Sequence, residues 1–464
     1  MDLYHNYLSP FSWRYASQDM RSLWSENQKR KMWRQIWIAL AKTQSRYGLV
    51  NPEQIAELEK NAENIDMDAA LALEAEIHHD LMAELKTFAS QCPLAGGILH
   101  LGATSMDIED NADAMRLRAA LDLILKSLAE TLTQLVRLIE KYIDLPVMGY
   151  THIQPAEPTT LGYRLSIYAQ DLLEDFLYLK KLQSEIRGKG FKGAVGTAAA
   201  YADLIGFENL EEFETELSQI LNLSFYPVTT QTYPRKQDYN LISALAGLAA
   251  SLHKFALDLR ILQTPSIGEM SEPFSKSQIG SSAMPFKRNP INAEKIDSLA
   301  RQLSVLPQIT WQNAANSILE RTLDDSANRR TILPESFLIV DELLAVSNRL
   351  LRNISINEKA IARNFEMYAP FAATERIMMA ASKNGADRQE MHEILRQHSL
   401  TAWNDIQKGN DNPLKNLLSK DPVLKEWISD TDIVYLLDVH TYTGIAQKQA
   451  FMMIKKIKEV LTSN

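Results

Sequence analysis

The stretch GSSAMPFKRNP, residues 280–290, has a composition suited to chemistry more than to packing. A glycine and two serines, Ser281 and Ser282, open it. Lys287 and Arg288 follow as a pair, and prolines at 285 and 290 interrupt it. A helix-like pattern begins directly afterwards. A chain that is otherwise mostly helical breaks itself here with a small, polar, basic loop.

Five further clusters share this character. HLGATSMD, residues 100–107, precedes a long helical pattern. Thr104 and Ser105 either cap that helix or help its N-terminus to hold an anion. YTHIQPAEPTTLGYR, residues 150–164, places His152 in a proline-rich loop, where it is either incidental or catalytic. IHHDLMAEL, residues 77–85, is expected to carry His78, His79 and Asp80 on one helix. Adjacent helical side chains point roughly 100° apart, and no third ligand stands at the i+4 spacing of a metalloprotease helix, so no metal site is expected. ERTLDDSANRR, residues 320–330, sets Arg321, Arg329 and Arg330 near Asp324 and Asp325. It is either a solvated, salt-bridged turn or a clamp for phosphate or carboxylate. WRYAS, residues 13–17, adds the pair Arg14 and Tyr15. No glycine-rich dinucleotide or Walker loop is found. Basic and hydroxyl side chains in loops at helix ends, with a few loop histidines, suit a polyanionic small-molecule substrate and acid–base chemistry without a cofactor.

These loops need long, rigid supports. Residues 107–145 contain neither Gly nor Pro, and Leu117, Leu121, Ile124, Leu128, Leu132, Leu135 and Ile139 recur at spacings of three and four. The pattern predicts one helix on the order of 50 Å long. Others are predicted over 159–187, 236–264, 291–321 with a kink at Pro307, and 334–354 with Pro334 in its first turn. Shorter helices are predicted over 27–47, 52–61 and 67–90. The best extended segment is FYPVTTQTY, 225–233. The expected fold is all-α, in three helical domains: an N-terminal domain (1–106), a central long-helix bundle with the signature loop (107–364) and a C-terminal domain (365–464). LISALAGLAASL, 241–252, is apolar or small almost all round, which predicts burial between neighbouring chains and hence an oligomer.

Composition narrows the class. The 464 residues carry a formal net charge of −9, against the basic footprint of a nucleic-acid binder. Cys92 is the single cysteine, so neither an intrachain disulfide nor a cysteine zinc site is expected. The N-terminus lacks the basic and apolar regions of a signal peptide. No run of about 18 apolar residues is found, so no membrane span is expected. A cytoplasmic location follows as the expectation.

GSSAMPFKRNP fits GSSxMPxKxNP, the pattern of the fumarase/aspartase superfamily, and HLGATS and THIQPAEPTT resemble that superfamily's two other blocks in the same order. Within it, RYAS, HHDLMAEL, QTYPRK and ERTLDDSANRR are similar to blocks of the adenylosuccinate lyase family. The blocks run from Arg14 to Arg330, and the helical tail is compatible. The resemblance implies a homotetramer with active sites shared between subunits. It also implies β-elimination of fumarate from adenylosuccinate, giving AMP, and from the succinylated imidazole carboxamide ribotide (SAICAR), giving AICAR, with no metal or cofactor. By the same resemblance Ser281 is the general base, with Lys287 easing formation of its alkoxide. His152 is the general acid, and His79 orients the leaving side. Arg14, Tyr15, Ser326 and Arg330 hold the phosphate. Thr104 and Ser105 hold a succinyl carboxylate, Gln231 the succinyl group or base, and Arg321 the nucleotide. His78 and Asp80 stand beside His79. Lys295 replaces an arginine of the relatives, keeping the charge and losing the bidentate fork. The alternatives are another lyase of the superfamily, such as argininosuccinate lyase or fumarase, or a non-catalytic structural relative. The extra phosphate clamp favours a nucleotide, and Ser281, His152 and Lys287 together favour an enzyme.

Overall fold

Leucine and isoleucine at spacings of three and four drive Ser105–Lys141 into one helix of 37 residues, about 55 Å long. Leu117, Leu121, Ile124, Leu128, Leu132 and Ile139 are fully buried along it. The computed structural model describes residues 5–274, 284 and 286–462. Four more long helices follow: Leu161–Glu185, Lys236–Leu262, Ile291–Ala315 and Ser326–Asn353. The strands among the described residues are short. They form an antiparallel hairpin, Pro146–Thr151 with Gln154–Thr160, and a two-residue pairing of Met270–Ser271 with Ser355–Ile356. The fold is all-α.

The chain gathers into two compact units, each drawn from three stretches. The first comprises Met1–Leu128, Asp175–Ala250 and Ser298–Ala345. Its core includes Trp37 stacked on Phe88 and Tyr201 against Phe213, with ring centroids 6.3 and 5.3 Å apart. The second comprises Ala129–Glu174, Ser251–Asp297 and Val346–Asn464. Its core packs Met148 with Phe365, Ile377, Met391, Leu395 and Leu418.

Several local expectations are corrected. The helix expected over 67–90 is two helices, Met67–Ile77 and Asp80–Gln91. His78 ends the first in a left-handed conformation (φ 55°), donating its N–H to the Glu74 carbonyl at 2.8 Å. His79 caps the second, its Nδ1 accepting the Met82 N–H at 3.4 Å. An imidazole able to cap competes with helix continuation, so His78, His79 and Asp80 do not share one helix.

Residues 150–164 are largely hairpin, not loop. Pro155 and Pro158 fit because each strand of a two-stranded pair has a free edge that needs no N–H. Residues 225–233 form no strand, only the isolated bridge of Phe225 to Gly188. Pro334 lies inside Ser326–Asn353 and not in its first turn, so the Arg330 carbonyl loses its i+4 donor. The helix from Ile291 ends at Ala315, short of 321. Finally, Lys236–Leu262 is long and apolar enough, by length and composition, to cross a membrane, with half of its most apolar window buried inside the chain. A search for unbroken apolar runs misses it because polar residues are scattered along it. Of these, Asp238 is bonded to Arg329 and Arg260 to Asp297.

Candidate active site

The first unit brings four of the anticipated binding residues, Asp80, Arg321, Ser326 and Arg330, around one cleft. Asp80, at the start of Asp80–Gln91, meets Arg330, from the first turns of Ser326–Asn353, at 2.8 Å. Ser326 and Arg321 line the same cleft, whose cavity volume is about 100 Å³. Burial alone would push the Asp80 carboxyl up. Arg330 and Lys29, aided by the Leu81 N–H, outweigh burial and hold it below the usual carboxylate range. His79 lies beside Asp80, and its Nε2 is 3.4 Å from the Ser105 hydroxyl. Because Nδ1 accepts the Met82 N–H, a neutral His79 carries its proton on Nε2 and donates towards Ser105. A helix N-terminus flanked by Arg330, Arg321 and a serine hydroxyl is a natural anion site.

The Thr104–Ser105 loop is fixed from behind. The Asp107 carboxylate accepts the Thr104 N–H at 3.0 Å, the third helical residue reaching back as in a capping box. It also accepts the Gly193 N–H and the Tyr201 hydroxyl, each at 3.2 Å, and pairs with the buried Lys189 ammonium. Gly102 is required in this loop. Its φ is +77°, and a Cβ there would come within 2.9 Å of Leu204. His100 also has positive φ (65°), and its Nδ1 accepts the Trp37 indole N–H at 3.1 Å. Burial lowers its pKa.

A second, largely buried network ties QTYPRK to ERTLDDSANRR. Arg235 donates to Asp325 at 2.6 Å and to Asp110 at 2.9 Å. Asp110 also accepts the Tyr233 N–H at 2.8 Å. Arg329 donates to Asp238 and to the Tyr233 hydroxyl, both at 2.8 Å. Arg321 pairs with Asp325 at 2.9 Å. Burial would raise the Asp325 carboxyl, but Arg235, Arg329 and Arg321 hold it low. The Gln231 N–H donates to the Glu320 carbonyl at 3.1 Å, joining the two segments. The three arginines of ERTLDDSANRR thus divide their work. Arg329 is buried scaffold, Arg321 is anchored beside the cleft, and Arg330 reaches Asp80. The solvated-turn reading fails for Arg329 and Asp325, which are buried.

Arg14 and Tyr15 also belong to the first unit. Arg14 is exposed and lies over the Trp13 ring, and Tyr15 packs against Phe11 at 5.6 Å.

The second unit carries His152, Lys287 and Lys295. The pairing of Thr151 with Gln154 leaves His152–Ile153 as a two-residue turn, with φ of 53° and 61°. This is the type I′ pattern, which ordinarily calls for Asn-Gly. A β-branched residue at positive φ is uncommon, and left-handed backbone costs about 1–2 kcal/mol per residue. Strain of this kind persists where surrounding contacts over-determine it, and it clusters at functional sites. The contacts here converge on Glu269, which accepts from the Tyr150 hydroxyl at 3.2 Å, from Arg164 at 3.0 Å and from Asn364 at 3.0 Å. They hold out an exposed His152 that has no hydrogen-bond partner among the described residues. Lys287 is exposed, its N–H bonded to the Met284 carbonyl at 3.0 Å. Lys295 is half-buried in the first turns of Ile291–Ala315, and Glu272 accepts the Ala293 N–H at the start of that helix at 2.6 Å. Ser281 lies outside the described residues.

Sequence reasoning passed over Asp107, Asp110, Lys189, Arg235 and Glu109. A signal was present in MDIEDNADA, which crowds acids into the start of the leucine-striped helix.

A family described as "Lyase" matches residues 14–304, and one described as "Adenylosuccinate lyase C-terminus" matches residues 370–451. The chain is 39% identical to adenylosuccinate lyase of Saccharomyces cerevisiae over 461 residues, covering 98% of this chain and 95% of the relative. It is 34% identical to that of Archaeoglobus fulgidus, covering 97% and 99%. Among solved structures, 3-carboxy-cis,cis-muconate lactonizing enzyme from Pseudomonas putida superimposes with a TM-score of 0.86 at 24% identity, covering 97% and 99%. Fumarate lyase from Mesorhizobium sp. BNC1 gives 0.83 at 23%, with the same coverage. These two likenesses concern the fold. The full-length matches at 34–39% identity go further, since they span the stretches that build the cleft, the buried network and the strained hairpin. The chain belongs to the adenylosuccinate lyase family.

Proposed function

We propose that the protein eliminates fumarate from adenylosuccinate to give AMP, and from SAICAR to give AICAR, in purine nucleotide synthesis. The observation that carries this reading is the cleft of the first unit. There a helix N-terminus, Ser326, Arg321 and Arg330 offer a phosphate site within one assembly with Asp80 and the His79–Ser105 pair.

In this proposal Ser281, as an alkoxide favoured by Lys287, takes the proton from the carbon next to the succinyl carboxylate. The electron pair first builds a doubly charged aci-carboxylate. It then forms the C=C bond of fumarate as the C–N bond breaks. The leaving nitrogen receives a proton from His152. Preorganised N–H donors and cations lower the cost of the transient charge. Thr104, Ser105 and Lys287 serve the carboxylate, and Gln231 the succinyl group or base. Arg14, Tyr15, Ser326 and Arg330 serve the phosphate, with Arg321 and Lys295 adding positive charge. His79 orients the leaving side. The active unit is a homotetramer in the cytoplasm, whose sites combine residues of different subunits. The exposure of His152 supports that arrangement.

Incubation with adenylosuccinate tests the reading. AMP and fumarate are expected in equal amounts, and an inert substrate would refute it. Arg330→Ala removes a charge-assisted contact, commonly about 1.5–3 kcal/mol, so KM is expected to rise by roughly 10–100-fold. High ionic strength should raise KM in the same direction. An unchanged KM in the variant takes Arg330 out of the phosphate site.

A further inference from the structure

The cleft holds one carboxyl that the proposed reaction does not use. Glu109 lies one turn into Ser105–Lys141 and lines the cleft with Asp80, Ser326 and Arg330. It makes no hydrogen bond or ion pair with another side chain among the described residues. The charged groups that face it come from four helices. Asp110 and Asp113 belong to its own helix, Asp80 to Asp80–Gln91, Lys29 and Glu26 to Glu26–Ser45, and Arg330 to Ser326–Asn353. The cations are already engaged. Arg330 is bound to Asp80 at 2.8 Å and Lys29 to Glu26 at 2.7 Å. Arg321 and Arg329 are tied to Asp325 and Asp238 behind the cleft.

Glu109 is therefore a carboxyl set among carboxylates, without a cation of its own. Five cationic side chains face four carboxyls in the lining. Protonating Glu109 removes one negative charge from the lining, the direction that favours a phosphate dianion there. Burial, with Asp80, Asp113 and Asp110 adding to it, pushes the Glu109 carboxyl up to about 8.

We propose that Glu109 binds the phosphate end of the nucleotide in its neutral form, donating its O–H to a phosphate oxygen, so that nucleotide affinity depends on a proton held at this side chain. The inference rests on the cleft being the phosphate subsite. The sign follows from linkage. A ligand that needs the protonated acid binds with constant affinity below the pKa of that acid. Above it, affinity falls by about tenfold per pH unit. The phosphate is not the titrating partner, because its second ionisation, with a pKa of ~6, is nearly complete by pH ~7.

The test compares KM for adenylosuccinate at pH 7 and pH 9. The ratio between them is expected to be about ten in the parent enzyme and about one in Glu109→Gln, which keeps a neutral donor at all pH values. A parent ratio near one, or a ratio of ten that survives in the variant, overturns the proposal. So does a KM that falls as pH rises, the result for an ionised Glu109 accepting from ribose hydroxyls. A second measurement uses the parent alone, should the variant fold poorly. Calorimetric titration with AMP at pH 9, in buffers of high and low ionisation heat, is expected to show nearly one proton taken up per site. AMP binding without proton uptake sinks this inference and leaves the proposed function standing. AMP that does not bind at pH 7 sinks both.

Discussion

His152→Ala is expected to lower kcat by about 10²–10⁴-fold, the range typical of a positioned general acid, with a much smaller change in KM. The proton it supplies is needed only as the C–N bond breaks, so its loss falls on the transition state rather than on binding. Ser281→Ala is expected to behave in the same way. The pair becomes more informative when mixed. If each site takes His152 and Ser281 from different subunits, dissociating the two inactive variants and reassembling them in equal amounts restores both groups to roughly a quarter of sites. If one chain supplied both residues, every site would lack one of them. Mixed tetramers, verified by mass, that stay at the parents' background would therefore rule out sharing. A substantial kcat in His152→Ala alone would remove it as the acid.

Asp110→Ala should produce the largest loss of stability, about 3–5 kcal/mol, as expected on removing one partner of a buried ion pair. The variant leaves the Arg235 guanidinium without one of its two carboxylates and the Tyr233 N–H without an acceptor, both deep in the first unit. The shift in urea midpoint multiplied by the denaturant slope measures it. A change under about 0.5 kcal/mol, the ordinary range for a surface substitution, would mean that the network is not what holds the two segments. The loss should reach function too, because Asp325 shares Arg235 with Asp110 and also anchors Arg321.

The long helices could be read from the sequence because periodic leucines and the absence of Gly and Pro act over many turns, where local exceptions average out. Boundaries set by single side chains could not. His79 ends a helical pattern by capping a new one, and Pro334 sits two turns inside a helix, with Ile332, Leu333 and Phe337 buried around it. The hairpin escaped for a similar reason. Its turn is His-Ile where local chemistry would call for Asn-Gly, so nothing short-range announces it, and its support comes from distant residues, Glu269 bonded to Tyr150 and the core packed on Met148. For the candidate site, the loop motifs singled out Asp80, Ser105, Arg321, Ser326 and Arg330 as expected binding residues, and the structure gathers them around one region of the first unit. The carboxylates that steady them could not be found that way. Asp107 and Asp110 look like ordinary acids near a helix start until Lys189 and Arg235, more than 80 residues away, are seen against them.

The three-stretch construction of each unit also bears on how the chain is made. The first unit needs Ser298–Ala345 to be whole, and the second needs residues up to Asn464. At roughly 5–20 residues per second, synthesis takes on the order of 20–70 s before the first unit has all its parts. Throughout that time the N-terminal portion of the 37-residue helix carries a leucine stripe whose later partners do not yet exist. Such long-range closure is slow even once the chain is free. The nascent chain thus carries apolar surface without its native partners for most of its translation, and any contiguous fragment containing the complete first unit must extend to Ala345.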